Sequence, residues 1–242
     1  MIRRTIPQKT ISKQISLSGV GLHTGKRVNI TFKPAPADTG LVFVRNDVDG
    51  DNLINAHIKY ISNTDRGTNL DNGEFRIQTS EHVLAAITGL DIDNCYICLD
   101  GPEVPIMDGS SKFFINALEQ AKIVEQNVLR EEFFPSEPIS YVCEDTGSKI
   151  SILPDDNYRV NTLVDYKTKV LGEQEASINH ISEFKKEISS ARTFSFLHEL
   201  ETLLENGLIK GGDLNNAIVY VDKPLAESNM DILKKAFNKE SI

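Results

Sequence analysis

The chain has 242 residues, 40% of them hydrophobic and 25% charged, the make-up of a folded globular protein, which excludes a disordered or fibrous reading. Thirty-five acidic residues against 26 basic ones leave a net charge of −9, which argues against nucleic-acid binding, a role that needs clustered positive charge. Three cysteines are an odd number for a disulfide framework, so a reducing, cytoplasmic setting is expected.

The chain opens on Met1-Ile-Arg-Arg-Thr-Ile-Pro7, two arginines with no apolar run behind them. No stretch reaches the roughly 18 apolar residues of a membrane span. Gly19-Val-Gly-Leu-His-Thr-Gly25 is rich enough in glycine to cradle a phosphate, but no helix follows it, so a hairpin turn carrying His23 is expected. Val28–Phe32 and Leu41–Arg45, parted by the turn-rich Pro34–Gly40, read as two paired strands.

Ser80 to Thr88 has the small and apolar residues of a short buried helix, with Gly89 at its C-terminal stop. Cys95 to Leu99 is an apolar strand. Its two cysteines, three residues apart, point to opposite faces and are expected to pack in the core. Ser110 to Ala121 reads as a second helix, and Val128 to Pro138 as a linker. Beyond it, Lys149–Leu153 and Tyr158–Tyr166 are expected to form a hairpin. Glu183–Glu187 reads as a solvated charge run, Phe196–Asn206 as a helix ending at Gly207, and Met230–Asn238 as one more helix-like stretch.

The chain also matches itself at an offset of 122 residues. Gly89-Leu-Asp-Ile-Asp-Asn-Cys-Tyr-Ile-Cys-Leu-Asp100 lines up with Gly211-Gly-Asp-Leu-Asn-Asn-Ala-Ile-Val-Tyr-Val-Asp222, and Thr24-Gly25, Leu41-Val42 and Pro102 find Thr146-Gly147, Leu163-Val164 and Pro224 in the same register. A duplicated unit explains this shared register. The expected organisation is therefore α+β: a first unit over 1–127, a linker over 128–138 and a second unit over 139–242. The alternative is that Asn and Gly mark the turn before a buried strand twice over.

Duplication separates scaffold from chemistry, because residues needed for the fold recur in both copies. Glu81-His82 has only Leu203-Leu204 opposite it. A histidine beside a glutamate at a helix start suits a metal site, the imidazole as ligand and the carboxylate acting on a water. The same pair is more commonly just favourable charge at the helix dipole. His57, His180 and His198 are expected to be solvent-facing or satisfied. Ala191-Arg-Thr-Phe-Ser-Phe196 places a hydroxyl and two aromatics at a helix mouth, and Gly207-Leu-Ile-Lys-Gly-Gly212 adds an apolar hinged stretch. Together they suit an oxyanion donor and an aliphatic surface, with core packing as the plainer reading.

Six segments in order, Gly19–Gly25, Pro34–Gly40, Thr79–Ala86, Val104–Ser110, Ala191–Phe194 and Gly211–Ala217, closely resemble the UDP-3-O-acyl-N-acetylglucosamine deacetylases of lipid A biosynthesis. The resemblance implies a zinc hydrolase of two similar α+β domains with helices packed between the two sheets. It implies His82 as a zinc ligand, with iron(II) as the other candidate metal, and Glu81 as the general base. Thr193 is implied as the oxyanion donor, Phe194 as a surface against the sugar, and the segment from Phe196 to Gly212 as the enclosure of the hydroxyacyl chain. The implied substrate is a UDP-linked acyl glucosamine, handled by a cytoplasmic monomer without nucleic acid or membrane span. The family's other zinc ligands lie in a His-Lys-x-Leu-Asp-x-x-Gly-Asp pattern, and its general acid is a later histidine; neither occurs in these 242 residues. The chain is accordingly expected to be an N-terminal portion, inactive alone, from a parent that carries or lacks a fused 3-hydroxyacyl-carrier-protein dehydratase. The competing expectation is a non-catalytic binding protein without metal.

Overall fold

Strict alternation in Arg27-Val-Asn-Ile-Thr-Phe-Lys-Pro34 sends Val28, Ile30 and Phe32 to one buried face, the period-two signature of a half-buried strand. The computed structural model, which describes residues 2–222, builds the first half around this strand. In chain order come β1 (Ile2–Arg3), β2 (Pro7–Ile11), β3 (Ile15–Val20), β4 (Arg27–Pro34), β5 (Leu41–Arg45) and β6 (Leu53–Asn55). Three short strands follow, β7 (Ile61–Asn63), β8 (Asn69–Asp71) and β9 (Arg76–Ile77), and then α1 (Glu81–Gly89), β10 (Cys95–Leu99) and α2 (Lys112–Gln120). Then come β11 (Ile123–Leu129), β12 (Glu132–Phe133), β13 (Ile139–Val142), β14 (Lys149–Ile152), β15 (Val160–Asp165) and β16 (Glu173–Ile178). The described chain closes with α3 (Phe184–Glu187), β17 (Phe194–Phe196), α4 (Leu200–Glu205) and β18 (Ile218–Tyr220).

The main sheet has the order β3-β4-β10-β5-β6. β4 and β5 are therefore not partners, contrary to the hairpin expected from their spacing. β10 lies between them, antiparallel to β4 and parallel to β5. The physical reason is in its side chains: Cys95, Ile97, Cys98 and Leu99 are all buried, and a strand apolar on both faces belongs in the middle of a sheet. The connection over 35–40 spans two strand spacings, about 10 Å. It is pinned by Asp38, whose N–H donates to Gln8 Oε1 at 2.8 Å, and by Gly40, whose N–H donates to Asn94 Oδ1 at 2.8 Å.

One core unites this sheet with α1 and α2, whose inward faces are Val83, Ala86 and Ile87, and Phe114, Ile115 and Leu118. Phe114 meets Phe32 edge-on at 6.3 Å between ring centroids. Gly89 is the last residue of α1, but the left-handed residue that ends the helix is Asp91, at φ 58°. Gly89 has a different job: a Cβ there would come within 2.1 Å of the Phe184 ring, so only glycine lets α3 seat on α1. β11 pairs with β2 and β12 with β1, so residues 128–133 of the segment read as a linker are partly strand, stitched to the N-terminus.

The second half is built more loosely. The expected hairpin of 149–153 with 158–166 does not form, because β14 pairs with β13, and β15 with β16. The two hairpins that form close over 143–148 and 166–172, gaps of six and seven residues, against seven residues, 153–159, between β14 and β15. The helix expected over Phe196–Asn206 is a single 3-10 turn, Leu197–Glu199, leading into α4, with Phe196 in β17; Gly207 follows at φ 69° as its stop. Leu197, Leu200 and Leu203 form a small separate cluster with Ile209 and Val219. At the repeat offset, β18 stands opposite β10 but pairs only with β17 among the described residues, in parallel. Met230–Asn238 lies outside the described residues. No helix among them is long and apolar enough to cross a membrane.

Candidate active site

α1 starts where Thr79, at φ 56°, turns the chain out of β9. Ser80 ties that turn to the loop before β8, its N–H and Oγ both donating to the Thr68 carbonyl, at 3.0 and 2.8 Å. Thr68 returns the contact, its N–H donating to Glu81 Oε2 at 2.8 Å. The other oxygen of Glu81, Oε1, lies 3.9 Å from His82 Nε2. The pair expected from the sequence is thus adjacent in space, with the carboxylate hydrogen-bonded at one oxygen and, among the described residues, not hydrogen-bonded at the other. Burial pushes the His82 pKa down, against the opposing pull of Glu81 and Asp108, so the ring is kept as a neutral nitrogen donor.

Asp108 belongs to the Val104–Ser110 segment, which bends sharply at Met107 (φ 56°) and Gly109 (φ 85°). This bend joins the two halves. Thr193 N–H donates to the Gly109 carbonyl at 2.8 Å and Arg192 Nε to the Asp108 carbonyl at 2.6 Å. A Cβ on Gly109 would fall 2.1 Å from the Asn216 carbonyl oxygen, so a side chain at 109 would push the halves apart. Ser111 Oγ donates to the His82 carbonyl at 2.9 Å, fixing the same bend to α1. Thr193 is held from its other side as well, its carbonyl accepting from Ile218 N–H at 3.0 Å.

Thr193 lines a narrow, mainly apolar cleft, with Phe194 and Gly212 in its walls beside Leu22, Leu200, Leu203 and Ile209. Phe194 sits among aromatics, its ring centroid 5.3 Å from Tyr166 and 5.4 Å from Tyr220. Gly211 approaches so closely that a Cβ would meet the Gly21 carbonyl at 2.2 Å. Arg66 and Glu199 form an ion pair beside the cleft at 2.6 Å. Of the five expected site residues, Glu81 and His82 are neighbours, while Thr193, Phe194 and Gly212 line one cleft, Thr193 being bound to Gly109 beside Asp108.

The remaining candidates behave as the plainer readings had it. Cys95 and Cys98 are buried core thiols, and burial pushes Cys95 up to about 12. His57 and His180 cap 3-10 turns, accepting from Lys59 and Ser182 N–H, and His198 stacks on Phe196. Sequence reasoning passed over Asp108, Arg66 and Glu199, and treated His23 only as part of a turn. Asp108 was findable, since it lies inside one of the six segments; Arg66 and Glu199, 133 residues apart, leave no local signal.

A family model described as UDP-3-O-acyl N-acetylglycosamine deacetylase matches residues 8–235. The bifunctional enzyme LpxC/FabZ of Chlorobaculum tepidum is 44% identical over 94% of this chain and 49% of its own length. That of Bacteroides thetaiotaomicron is 40% identical over 94% of this chain and 50% of its own. The UDP-3-O-acyl-N-acetylglucosamine deacetylase of Acidithiobacillus ferrooxidans is 40% identical over 90% of this chain and 72% of its own. The chain spans about half the length of the bifunctional relatives.

Proposed function

Because the chain belongs to the UDP-3-O-acyl N-acetylglycosamine deacetylase family, we propose that it carries the scaffold and part of the active site for removing the N-acetyl group of a UDP-3-O-(3-hydroxyacyl)-N-acetylglucosamine. One observation supports this reading for particular residues: the Gly109 carbonyl accepts from Thr193 N–H at 2.8 Å, next to Asp108, whose charge acts on His82. Glu81, anchored by Thr68 N–H at one oxygen, has the other to take a proton from an attacking water. The Thr193 hydroxyl donates to the oxyanion that forms as the acetyl carbonyl is attacked. Phe194 gives the sugar a flat apolar surface, and the cleft lined by Gly212 takes the acyl chain.

Zinc is the metal of this proposal, with iron(II) as its alternative, and would supply polarisation of the water and the carbonyl. The residues present are not enough to hold it: a catalytic zinc keeps three protein ligands, and no group of three or more His, Cys, Asp or Glu gathers among the described residues. His82 would be one ligand. The proposal includes two units related by the 122-residue offset with helices between their sheets, and a cytoplasmic monomer.

Zinc content measured together with deacetylase turnover tests this. The 242 residues alone are expected to show no measurable turnover and substoichiometric zinc; tight stoichiometric zinc with turnover would overturn the incomplete ligand set. In a form as long as the deacetylase relatives, Glu81→Ala should lower turnover by 10²-fold or more, roughly the worth of a general base, with zinc retained. His82→Ala should lose the metal. Equal zinc loss in both variants sinks the division of roles, and ligand binding without turnover in that longer form favours a non-catalytic binding protein.

A further inference from the structure

In the first half β3 pairs with β4 and β5 with β6 as two antiparallel hairpins, and β10 runs between them, antiparallel to β4 and parallel to β5. The hairpins recur in the second half. β13 pairs with β14 in the same register, Ile139 opposite Ile152 where Leu17 stands opposite Ile30, each residue 122 positions on. β15 and β16 overlap the counterparts of β5 and β6, with the pairing slipped by three residues: Val42 faces Asn55, whereas Val164 faces Gln174 in place of 177. The strand between does not recur. Among the described residues β14 pairs only with β13 and β15 only with β16, and β18, which stands opposite β10 at the repeat offset, pairs with β17 instead.

Two inner edges are thus left without a strand partner among the described residues, and the apolar side chains beside them, Ile150, Ile152, Leu163 and Val164, are exposed. Folded proteins cover edges of this kind, because each one templates the pairing of another strand. The chain leaves room for one. Residues 35–40, six in number, span two strand spacings across β10, about 10 Å, and the seven residues 153–159 between β14 and β15 can do the same. A strand paired on both sides is apolar on both faces, as β10 is, and residues 223–242 hold no such run. A second copy fits less well, since pairing β14 with its own counterpart covers one edge and leaves β15 bare. The deacetylase relatives have the length: the match covers 72% of the Acidithiobacillus ferrooxidans enzyme, so more than a quarter of that chain lies outside it. Resting on the two-unit reading above, we propose that the space between β14 and β15 is a strand-accepting site. Its occupant is a segment that a form as long as these relatives carries outside the present 242 residues, a strand apolar on both faces that runs antiparallel to β14 and parallel to β15 and joins the two hairpins into one sheet.

Amide hydrogen exchange, read by mass spectrometry on the 242-residue chain and on the longer form, tests this. In the 242-residue chain the amides of 149–152 and 160–165 should exchange fast, and equally so at low and high protein concentration. In the longer form both stretches should exchange at least about 100-fold more slowly, as the amides of a closed sheet do. Backbone NMR contacts in the longer form should then run from β14 and from β15 to one and the same third strand outside residues 1–242, with none directly between β14 and β15. Fast exchange in the longer form, direct contacts between β14 and β15, or protection without a third strand overturns the proposal. Protection in the 242-residue chain that rises with concentration assigns the edges to a second copy and overturns it as well. A longer form that deacetylates its substrate with the site still empty sinks this inference alone and leaves the deacetylase reading standing.

Discussion

Glu103 is fully buried and its carboxylate accepts four hydrogen bonds. The donors are His23 N–H at 2.9 Å, Thr24 N–H at 2.8 Å, Thr24 Oγ1 at 2.7 Å and Thr79 Oγ1 at 2.9 Å. A single side chain thus holds the His23 turn and the residue that launches α1. Thr79 needs that grip, because a β-branched residue at φ 56° is strained. Gly21 makes room for it, since a Cβ there would lie 2.3 Å from Glu103 Oε2. Glu103→Leu would bury four donors without an acceptor and is expected to cost about 3 kcal/mol or more. Glu103→Gln, which keeps one acceptor oxygen, should cost less. Urea unfolding of both variants checks this, and a Glu103→Leu midpoint equal to that of the wild type would falsify it. Nothing in Pro102-Glu103-Val104 announces the role: the donors lie 24 and about 80 residues away, so an acidic residue after a proline reads locally as surface.

The elements around the cleft depend on a contact of the same long-range kind. Arg66, in the loop before β8, pairs with Glu199 ahead of α4, and the Arg66 guanidinium holds the Glu199 carboxyl below its ordinary value of 4.5. A depressed carboxylate stabilises the fold fully above its unfolded pKa, and that contribution is lost as pH falls through the lower folded one. The melting temperature of Glu199→Gln should therefore lie below that of the wild type at neutral pH, with the gap closing as pH falls below about 4.5. The gap should be modest, because the Arg66 side chain is half exposed; a gap independent of pH would show that the ion pair contributes nothing. Such pairings mark the limit of what the sequence made legible. Local signals held: α1, α2 and β10 fall where apolar period and turn residues put them, and Glu81-His82 opens its helix. Partner choice was not local. β10 displaced the expected pairing of β4 with β5 because its own two buried faces demand neighbours on both sides, and β14 and β15 turned to β13 and β16 across loops within one residue of the length between them, a difference too small for loop closure to decide.

For the molecule as a whole, burial is unevenly shared. Among the described residues the main cluster runs from Ile11 to Ala121, whereas the second half contributes a cluster of only Leu197, Leu200 and Leu203. Between them β13 to β16 form two separate two-stranded sheets among the described residues, and except for the buried Ile178 their apolar residues are exposed: Ile139 is 50% exposed, Tyr141 66%, Ile150 63% and Leu163 66%. Isolated hairpins are marginal in water, so these strands should open at low free energy while the first half stays closed. Brief digestion with a protease of broad specificity should therefore cut first within 143–172 and leave a resistant fragment ending near 133. Mass spectrometry of the products reads this directly. First cuts inside the sheet of β3, β4, β10, β5 and β6 would show that stability is shared evenly after all. The cleft adds a second observable, because Tyr166, just past β15, packs on Phe194. A long-chain acid that fills the cleft should slow cleavage at 160–178 and leave 139–152 as exposed as before, since among the described residues β13 and β14 pair only with each other.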